Sequence, residues 1–189
     1  MTQPEQKPGR SKQNYGTPAN FIRAVQWILG IDEFLFDFAA DAENAKAPRH
    51  WNERDNSLSK SGEAWAAQIV GGWGWLNPPF NEIGPWAAAC RAAKEEGGSI
   101  AFLVPAGVGA NWFRDHVDGD AKVLLLNGRL AFMPDKPTWL YPKDCILCLY
   151  SPDIQPGYEV WDWKKTTSLD GVRTEQGTVT PSVAHSAPK

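Results

Sequence analysis

The apolar segment Ser99–Val104 (SIAFLV) places the strongest constraint on how this chain folds. Gly97-Gly98 precedes it and Pro105-Ala106-Gly107 follows it, so regular structure is interrupted on both sides. A short segment that is apolar on both faces is typical of a central strand in a parallel sheet, which helices cover from either side. The segment therefore predicts an α/β fold.

Helices and strands alternate on either side of this segment. Helices are predicted from Pro18 to Leu29, from Gly84 to about Glu96 and from Asn111 to Val117, and strands over Glu33–Phe38, Ile69–Leu76 and Lys143–Tyr150. Asn127-Gly128 favours a tight type I′ turn, so Lys122–Leu126 and Arg129–Met133 are expected to pair as an antiparallel hairpin. This order predicts a three-layer α/β sheet, mostly parallel, with a late antiparallel hairpin.

The first predicted helix has clear end signals. Thr17 is expected to cap it, with Pro18 at its first position, and Gly30 is expected to close it. With 189 residues the chain has room for one domain, predicted over residues 14–164. Residues 1–13 and 165–189 are polar without periodicity and are expected to be a disordered arm and tail, while residues 46–64 are predicted to be a loop.

Composition and charge restrict the function. The formal net charge is −3, whereas proteins that grip long nucleic acid non-specifically are usually basic, so any DNA contact is expected to be a local patch or a weak, transient one. No run of eighteen apolar residues and no apolar signal core is present, which predicts a cytoplasmic protein without a membrane span. Cys145 and Cys148 have C-x-x-C spacing but no second pair, so these two and Cys90 are expected to be reduced core residues rather than metal ligands.

The segment Trp75-Leu76-Asn77-Pro78-Pro79-Phe80 ends the second predicted strand. Proline has a fixed φ angle and no N–H, and it makes the preceding residue extended, so this turn is expected to be rigid. The Asn77 side chain and the Pro78 carbonyl can each accept a hydrogen bond beside the flat ring of Phe80. Such a group suits a planar ligand that carries an NH₂, such as adenine. The alternative is an ordinary proline-rich turn with a core Phe.

Acidic residues follow the first predicted strand. Asp37, Asp41 and Glu43 lie in a stretch of small residues that includes Ala39 and Asn44. Carboxylates just beyond the carboxyl end of a strand hold the ribose in many α/β nucleotide sites, and small neighbours let a cofactor approach the backbone. A solvated acidic helix start is an equally good interpretation of any one of these acids taken alone.

The ordered motifs together resemble a known family. They are Tyr15-Gly16-Thr17-Pro18, then FDFAADAENAK over residues 36–46, Asp55-Asn56-Ser57-Leu58, WLNPPF over residues 75–80, Leu103-Val104-Pro105-Ala106, Trp112-Phe113 and Gly128-Arg129-Leu130-Ala131-Phe132. In this order and spacing they resemble the phage-type, Dam-like DNA adenine N-6 methyltransferases over roughly residues 15 to 150.

The resemblance implies a Rossmann-like methyltransferase fold with S-adenosylmethionine as methyl donor. By position, Tyr15, Thr17 and Pro18 are expected at the methionine end of the cofactor. Cofactor contacts are also expected from Asp37, Ala39, Asp41 and Asn44, and from Asp55 near its adenine. The catalytic group is expected to be Asn77, Pro78, Pro79 and Phe80.

The sequence departs from better-known adenine methyltransferases in two respects. Ala39-Ala40-Asp41 stands where a glycine-rich cofactor loop is usual, and no separate target-recognition block is present. Sequence preference is therefore expected to be loose or to come from loops such as 46–64 and 134–143, with Arg129 as a candidate DNA contact. The sequence specifies no oligomeric state. Three alternatives stay open: methylation of a protein glutamine, methylation of adenine in RNA, and a non-catalytic scaffold with a methyltransferase fold.

Overall fold

The computed structural model of the chain describes residues 16–132 and 140–167. The strands are β1 (Phe36–Asp37), β2 (Trp73–Leu76), β3 (Ser99–Pro105), β4 (Lys122–Leu126), β5 (Cys145–Tyr150) and β6 (Gly157–Trp161). The helices are α1 (Ala19–Leu29), α2 (Gly62–Ala66), α3 (Ile83–Glu95), α4 (Asn111–His116) and α5 (Trp163–Thr167). Two short 3₁₀ helices, Glu53–Asp55 and Ser57–Ser59, lie between β1 and α2.

The strands form one six-stranded sheet in the order β1-β2-β3-β5-β4-β6. The pairs β1–β2, β2–β3 and β4–β6 are parallel, whereas β5 is antiparallel to both of its neighbours. Five strands therefore point in one direction and only β5 is reversed. The expected mostly parallel α/β sheet with antiparallel pairing late in the chain is confirmed.

The two faces of the sheet pack against different helices. Along β3, Ile100, Phe102 and Val104 pack on the face that α2, α3 and α4 cover, while Ala101 and Leu103 pack on the face that α1 and α5 cover. This alternation follows from the period of two in a strand. The sheet is thus the middle of three layers, and β3 is buried as its apolar sequence predicts.

The predicted hairpin is wrong. β4 is present at Lys122–Leu126, but its antiparallel partner is β5, and residues 129–132 form no strand. Gly128 has a φ angle of 102°, and the chain continues away from β4 with the Leu130 carbonyl accepting a bond from the Tyr141 N–H. β5 lies beside β4 in the sheet, and all six of its residues are buried. Pairing with this buried strand is more favourable than pairing with the residues after a tight turn.

The start of α1 also differs from the prediction. The helix begins at Ala19 with Pro18 as its N-cap residue, and no side chain caps it. Thr17, the predicted cap, is 3% exposed and accepts a hydrogen bond from Asn77 instead. The predicted C-terminal signal is confirmed, because Gly30 adopts the left-handed conformation with a φ angle of 67°.

Several boundaries move because short turns replace predicted strand. β2 begins at Trp73 rather than Ile69, since Gly71 has a φ angle of 76° and the Gly72 N–H bonds to the Ile69 carbonyl. The predicted loop 46–64 contains both 3₁₀ helices and the start of α2. β6 was not predicted, and α5 extends to Thr167, beyond the predicted domain end at residue 164. The predicted arm (1–13) lies outside the described residues, as does the tail from residue 168.

Candidate active site

The carboxyl ends of β1, β2 and β3 meet at one edge of the sheet, and a cavity of about 380 Å³ opens there. Asp37 ends β1 and Asn77 directly follows β2, so the parallel pairing brings them to the same place. The lining residues are Gly16, Thr17, Asp37, Ala39, Ala40, Asp41, Asn44, Lys46, Asn52, Glu53, Asn56, Ser57, Leu58, Trp75, Asn77, Pro79 and Trp86. We call this the β1–β2 cavity.

A second cavity, of about 690 Å³, adjoins the first at the start of α1. Its lining residues are Gly16, Thr17, Pro18, Ala19, Asn20, Asp41, Glu43, Asn44, Lys46, Arg129, Ala131, Leu140, Trp163 and Lys164. We call it the α1 cavity. Five residues line both cavities: Gly16, Thr17, Asp41, Asn44 and Lys46. We call these five residues the wall between the two cavities.

The Asn77 amide lies at this wall. Its Nδ2 donates a 3.1 Å hydrogen bond to the Thr17 hydroxyl, which is buried. The bond holds the nitrogen of the amide toward α1 and leaves Oδ1 on the other side of the group. Oδ1 is itself shielded from water. A hydrogen bond formed there with a substrate would be stronger than one in solvent.

The rest of the predicted catalytic turn divides between core and cavity. Pro78 is buried and Pro79 is exposed, with Pro79 lining the β1–β2 cavity. The Phe80 ring lies 6.1 Å from that of Phe132 and 5.8 Å from that of Tyr141, both at steep angles. Phe80 lines neither cavity. Its aromatic neighbours fix the turn, and its stacking on a substrate stays a prediction.

Asp37 is a buried carboxylate at the floor of the site. Its Oδ1 accepts a bond from the Ala39 N–H (3.2 Å) and its Oδ2 one from the Lys46 N–H (2.9 Å). Burial raises the pKa of Asp37 to about 6, although the two backbone N–H groups and the Lys46 charge act in the opposite direction. Asp37 therefore organises the chain that follows β1 as well as lining the cavity.

The segment after Asp37, which the sequence predicts to contact a cofactor, contributes residues to both cavities. Ala39 and Asp41 line the β1–β2 cavity, and the Asp41 N–H is bonded to the Asn44 side chain at 3.0 Å. Asp41 and Asn44 face both cavities, whereas Glu43 lines only the α1 cavity. The predicted set Asp37, Ala39, Asp41 and Asn44 is thus brought together at one site.

Asp55 has a different place from the one predicted. It lines neither cavity, and its Oδ2 accepts a 2.8 Å bond from the Asn52 N–H in a capping box that starts the first 3₁₀ helix. Its neighbours Asn52, Glu53 and Asn56 line the β1–β2 cavity instead. The D-N-S-L motif thus lies beside the cavity, and the capping signal N-x-x-D gives Asp55 a structural role.

This segment is anchored to the sheet. The Ser57 hydroxyl donates a 2.7 Å bond to the Phe38 carbonyl, and Trp65 Nε1 donates a 3.1 Å bond to the Ser57 carbonyl. The Trp65 ring also stacks on Phe38 at 4.2 Å with an interplanar angle of 9°. The wall formed by residues 52–58 is therefore held in place by the core rather than being a free loop.

Lys46 and Trp86 are among the lining residues that sequence reasoning missed. Trp86 lies in α3, is only half-buried and lines the β1–β2 cavity. Lys46 lies in the FDFAADAENAK motif and follows Asn44 by two residues, which is the signal that could have identified it.

Arg129 lines the α1 cavity, at an exposed position where its Nε pairs with Asp144 at 3.2 Å. Pro18 lines the same cavity, and Tyr15 lies outside the described residues. Within residues 16–132 and 140–167, no cluster of three His, Cys, Asp or Glu side chains is placed to hold a metal ion. In the same part of the chain no helix has the length and apolarity needed to cross a membrane.

The sequence was compared with models of known protein families and with curated proteins. The sequence model of the family described as DNA N-6-adenine-methyltransferase (Dam) matches residues 5–144. The match covers about three quarters of the chain and includes Thr17, the segment after β1 and the Asn77 turn. A comparison with curated proteins finds no match.

Proposed function

Because the chain belongs to the DNA N-6-adenine-methyltransferase (Dam) family, we propose that it transfers a methyl group from S-adenosylmethionine to the N-6 amine of adenine in DNA. The observation that carries this proposal is the position of the Asn77 amide. It lines the β1–β2 cavity and bonds to Thr17, which lines both cavities. A transferase that joins two substrates needs such a group where their sites meet.

The residues of the β1–β2 cavity fit S-adenosylmethionine, which when bound supplies an electrophilic methyl group on a sulfonium. The carboxylates of Asp37, Asp41 and Glu53 suit its ribose hydroxyls and its ammonium. The small side chains of Ala39 and Ala40 leave the backbone accessible, and the Trp86 indole offers a flat surface for an adenine ring. Asp37, Ala39, Asp41 and Asn44 are therefore retained as cofactor-binding residues, whereas Asp55 would act by shaping the wall.

The target amine would be held by Asn77 Oδ1 and the Pro78 carbonyl, each accepting one N–H. The amine nitrogen of adenine is a poor nucleophile because its lone pair is delocalised into the ring. Two acceptors favour a more tetrahedral nitrogen whose lone pair is free to attack. The nitrogen loses its extra proton only after it gains the methyl group, so no titrating base is needed beside Asn77 and Pro78. Positioning and charge stabilisation then supply the rate enhancement.

We assign the target nucleotide to the α1 cavity, with its amine reaching past Thr17 to the Asn77 amide in the β1–β2 cavity. In duplex DNA the adenine would be flipped out of the helix before it reaches Asn77, which costs a few kcal/mol. Arg129 and Lys164 are exposed cations on the rim of this cavity, a suitable position for contact with DNA phosphates. A local patch of this kind is compatible with DNA binding by a chain whose net charge is −3.

The test is a transfer assay with methyl-labelled S-adenosylmethionine and three separate acceptors: unmethylated DNA, RNA and a protein mixture. We expect label in DNA alone, and sequencing of the methylated DNA would then give the site preference. Label in RNA or in protein glutamine would show that the substrate is RNA or protein rather than DNA. If no acceptor gained label and the cofactor did not bind in calorimetry, the chain would be a non-catalytic scaffold.

A further inference from the structure

Lys46 occupies the wall between the two cavities and has a fixed backbone position. Its backbone N–H donates a 2.9 Å hydrogen bond to the buried Asp37 carboxylate, so the backbone of Lys46 is held beside the end of β1. Its Nζ lies 3.8 Å from the position that a Cβ would take on Gly16. Because Gly16 has no side chain, the ammonium can lie against the wall and face the space on either side of it.

The charges that line the β1–β2 cavity make Lys46 distinctive. Within residues 16–132 and 140–167, three carboxylates line it, those of Asp37, Asp41 and Glu53, but Lys46 is the only lining Lys or Arg. In the part of the chain that the structure describes, no carboxylate lies within 4.0 Å of its ammonium. A cation at a ligand cavity without such a partner is placed to bind an anion.

The electrostatic surroundings agree with this assignment. Burial lowers the pKa of Lys46, and attraction to Asp37 opposes the shift without cancelling it. The ammonium is therefore only partly compensated by the protein itself. An anionic ligand group that forms a charge-assisted hydrogen bond with Nζ would restore the lost solvation.

We propose that Lys46 Nζ binds the carboxylate of the methionine part of the cofactor. This inference rests on the proposed function, because it takes S-adenosylmethionine as the ligand of the β1–β2 cavity. The carboxylate is the only anionic group of that cofactor, and among the residues that the structure describes, Lys46 is the one Lys or Arg lining the cavity that can pair with it. A DNA phosphate is the competing anion, but Arg129 and Lys164, which also line the α1 cavity, are more exposed than Lys46 and are better placed to contact it.

The experiment compares two ligands in calorimetry with the full chain: S-adenosylmethionine and decarboxylated S-adenosylmethionine, which lacks only the carboxylate. The variants are Lys46→Met, which keeps the length of the side chain but not its charge, and Lys46→Arg, which keeps the charge. We expect Lys46→Met to weaken binding of S-adenosylmethionine by about tenfold to a hundredfold, as for loss of a charged hydrogen bond. Its affinity for the decarboxylated ligand should stay within about twofold of wild type, which also shows that the variant is folded. Lys46→Arg should recover part of the lost affinity.

Two results would overturn the inference while the proposed function stands. The first is an equal loss of affinity for both ligands, which would make Lys46 a purely structural residue. The second is unchanged binding of S-adenosylmethionine together with weaker binding of DNA, which would assign Lys46 to a phosphate. Failure of the wild-type protein to bind S-adenosylmethionine at all would instead overturn the proposed function, and the inference with it.

Discussion

The Asn77 side chain donates a 3.1 Å hydrogen bond to the Thr17 hydroxyl, a residue 60 positions earlier in the chain. The bond joins the residue that follows β2 to a residue two positions before the start of α1, at the place where the two cavities meet. Thr17 was expected to cap α1 and to contact the methionine part of the cofactor. The structure gives it a further task, because it sets which way the Asn77 amide faces.

Thr17→Val should slow methyl transfer more than it weakens cofactor binding. Valine has nearly the shape of threonine but cannot accept the bond from Asn77 Nδ2, so the amide is free to turn. We expect kcat to fall about tenfold or more, with the dissociation constant of S-adenosylmethionine within about threefold of wild type. Thr17→Ser keeps the hydroxyl and should stay close to wild type. Equal activity of the valine and serine variants would show that the bond has no part in catalysis.

Asp37 should give the stability of the protein a recognisable pH dependence. Burial raises its pKa from 3.8 to about 6 in the folded state, so the folded protein binds a proton more readily than the unfolded chain. The contribution of Asp37 to the free energy of unfolding therefore increases as pH falls through 6 toward 4, opposite to that of a salt-bridged carboxylate. Relative to Asp37→Asn, wild type should gain about 2 kcal/mol between pH 7 and about pH 4.5.

Urea unfolding of both proteins at the two pH values measures this difference. Other groups titrate in both proteins and cancel in the comparison. A difference in free energy of unfolding that does not change with pH would mean that Asp37 is not desolvated as the structure has it.

Gly74→Ala should destabilise the sheet. A Cβ on Gly74 would clash with Phe38 Cε2, and Phe38 cannot move easily because it is stacked on Trp65. We expect a loss of about 1–3 kcal/mol in the free energy of unfolding, typical of overpacking. Gly109→Ala is the matched control, since nothing lies within 4 Å of its Cβ position. Equal melting temperatures for the two variants would contradict the packing described for β2.

Arg129→Ala should weaken binding to DNA of any sequence. Arg129 lines the α1 cavity at an exposed position, so it is placed for a phosphate rather than for a buried base. We expect the slope of log affinity against log salt concentration to fall by about 1. Arg91 is the control, because it pairs with Asp120 just before the start of β4. The start of β4 lies at the end of the sheet opposite to the carboxyl ends of β1, β2 and β3, away from the α1 cavity. If Arg91→Ala had the same effect as Arg129→Ala, DNA would not bind at the α1 cavity.

The part of the site that lies at strand ends could be predicted from the sequence. Asp37 and Asn77 each follow an apolar segment, and parallel pairing alone brings such positions to one edge of a sheet. The apolar composition of β3 likewise predicted its burial between two layers of helices. These features depend on local pattern and on a general rule of α/β folds.

Features that depend on tertiary contacts could not be predicted in the same way. Asn127-Gly128 is a strong local hairpin signal, yet β4 pairs with the distant β5 because six buried side chains outweigh one turn. Thr17 is a good capping residue by type, but its hydroxyl bonds to a side chain far along the sequence. Trp86 and Lys46 line the cavity only because α3 and the segment after β1 pack beside it.

In the mechanism that we propose, Asn77 holds the amine of adenine during methyl transfer. The most direct measurement is the amount of N-6-methyladenine, determined by mass spectrometry, in digests of DNA treated with wild type, Asn77→Ala and Asn77→Asp. We expect the alanine variant to lose at least about a hundredfold in rate while still binding S-adenosylmethionine. The aspartate variant should keep measurable activity, because a carboxylate still accepts the N–H. Formation of N-6-methyladenine by Asn77→Ala at a rate near that of wild type would show that Asn77 does not hold the amine.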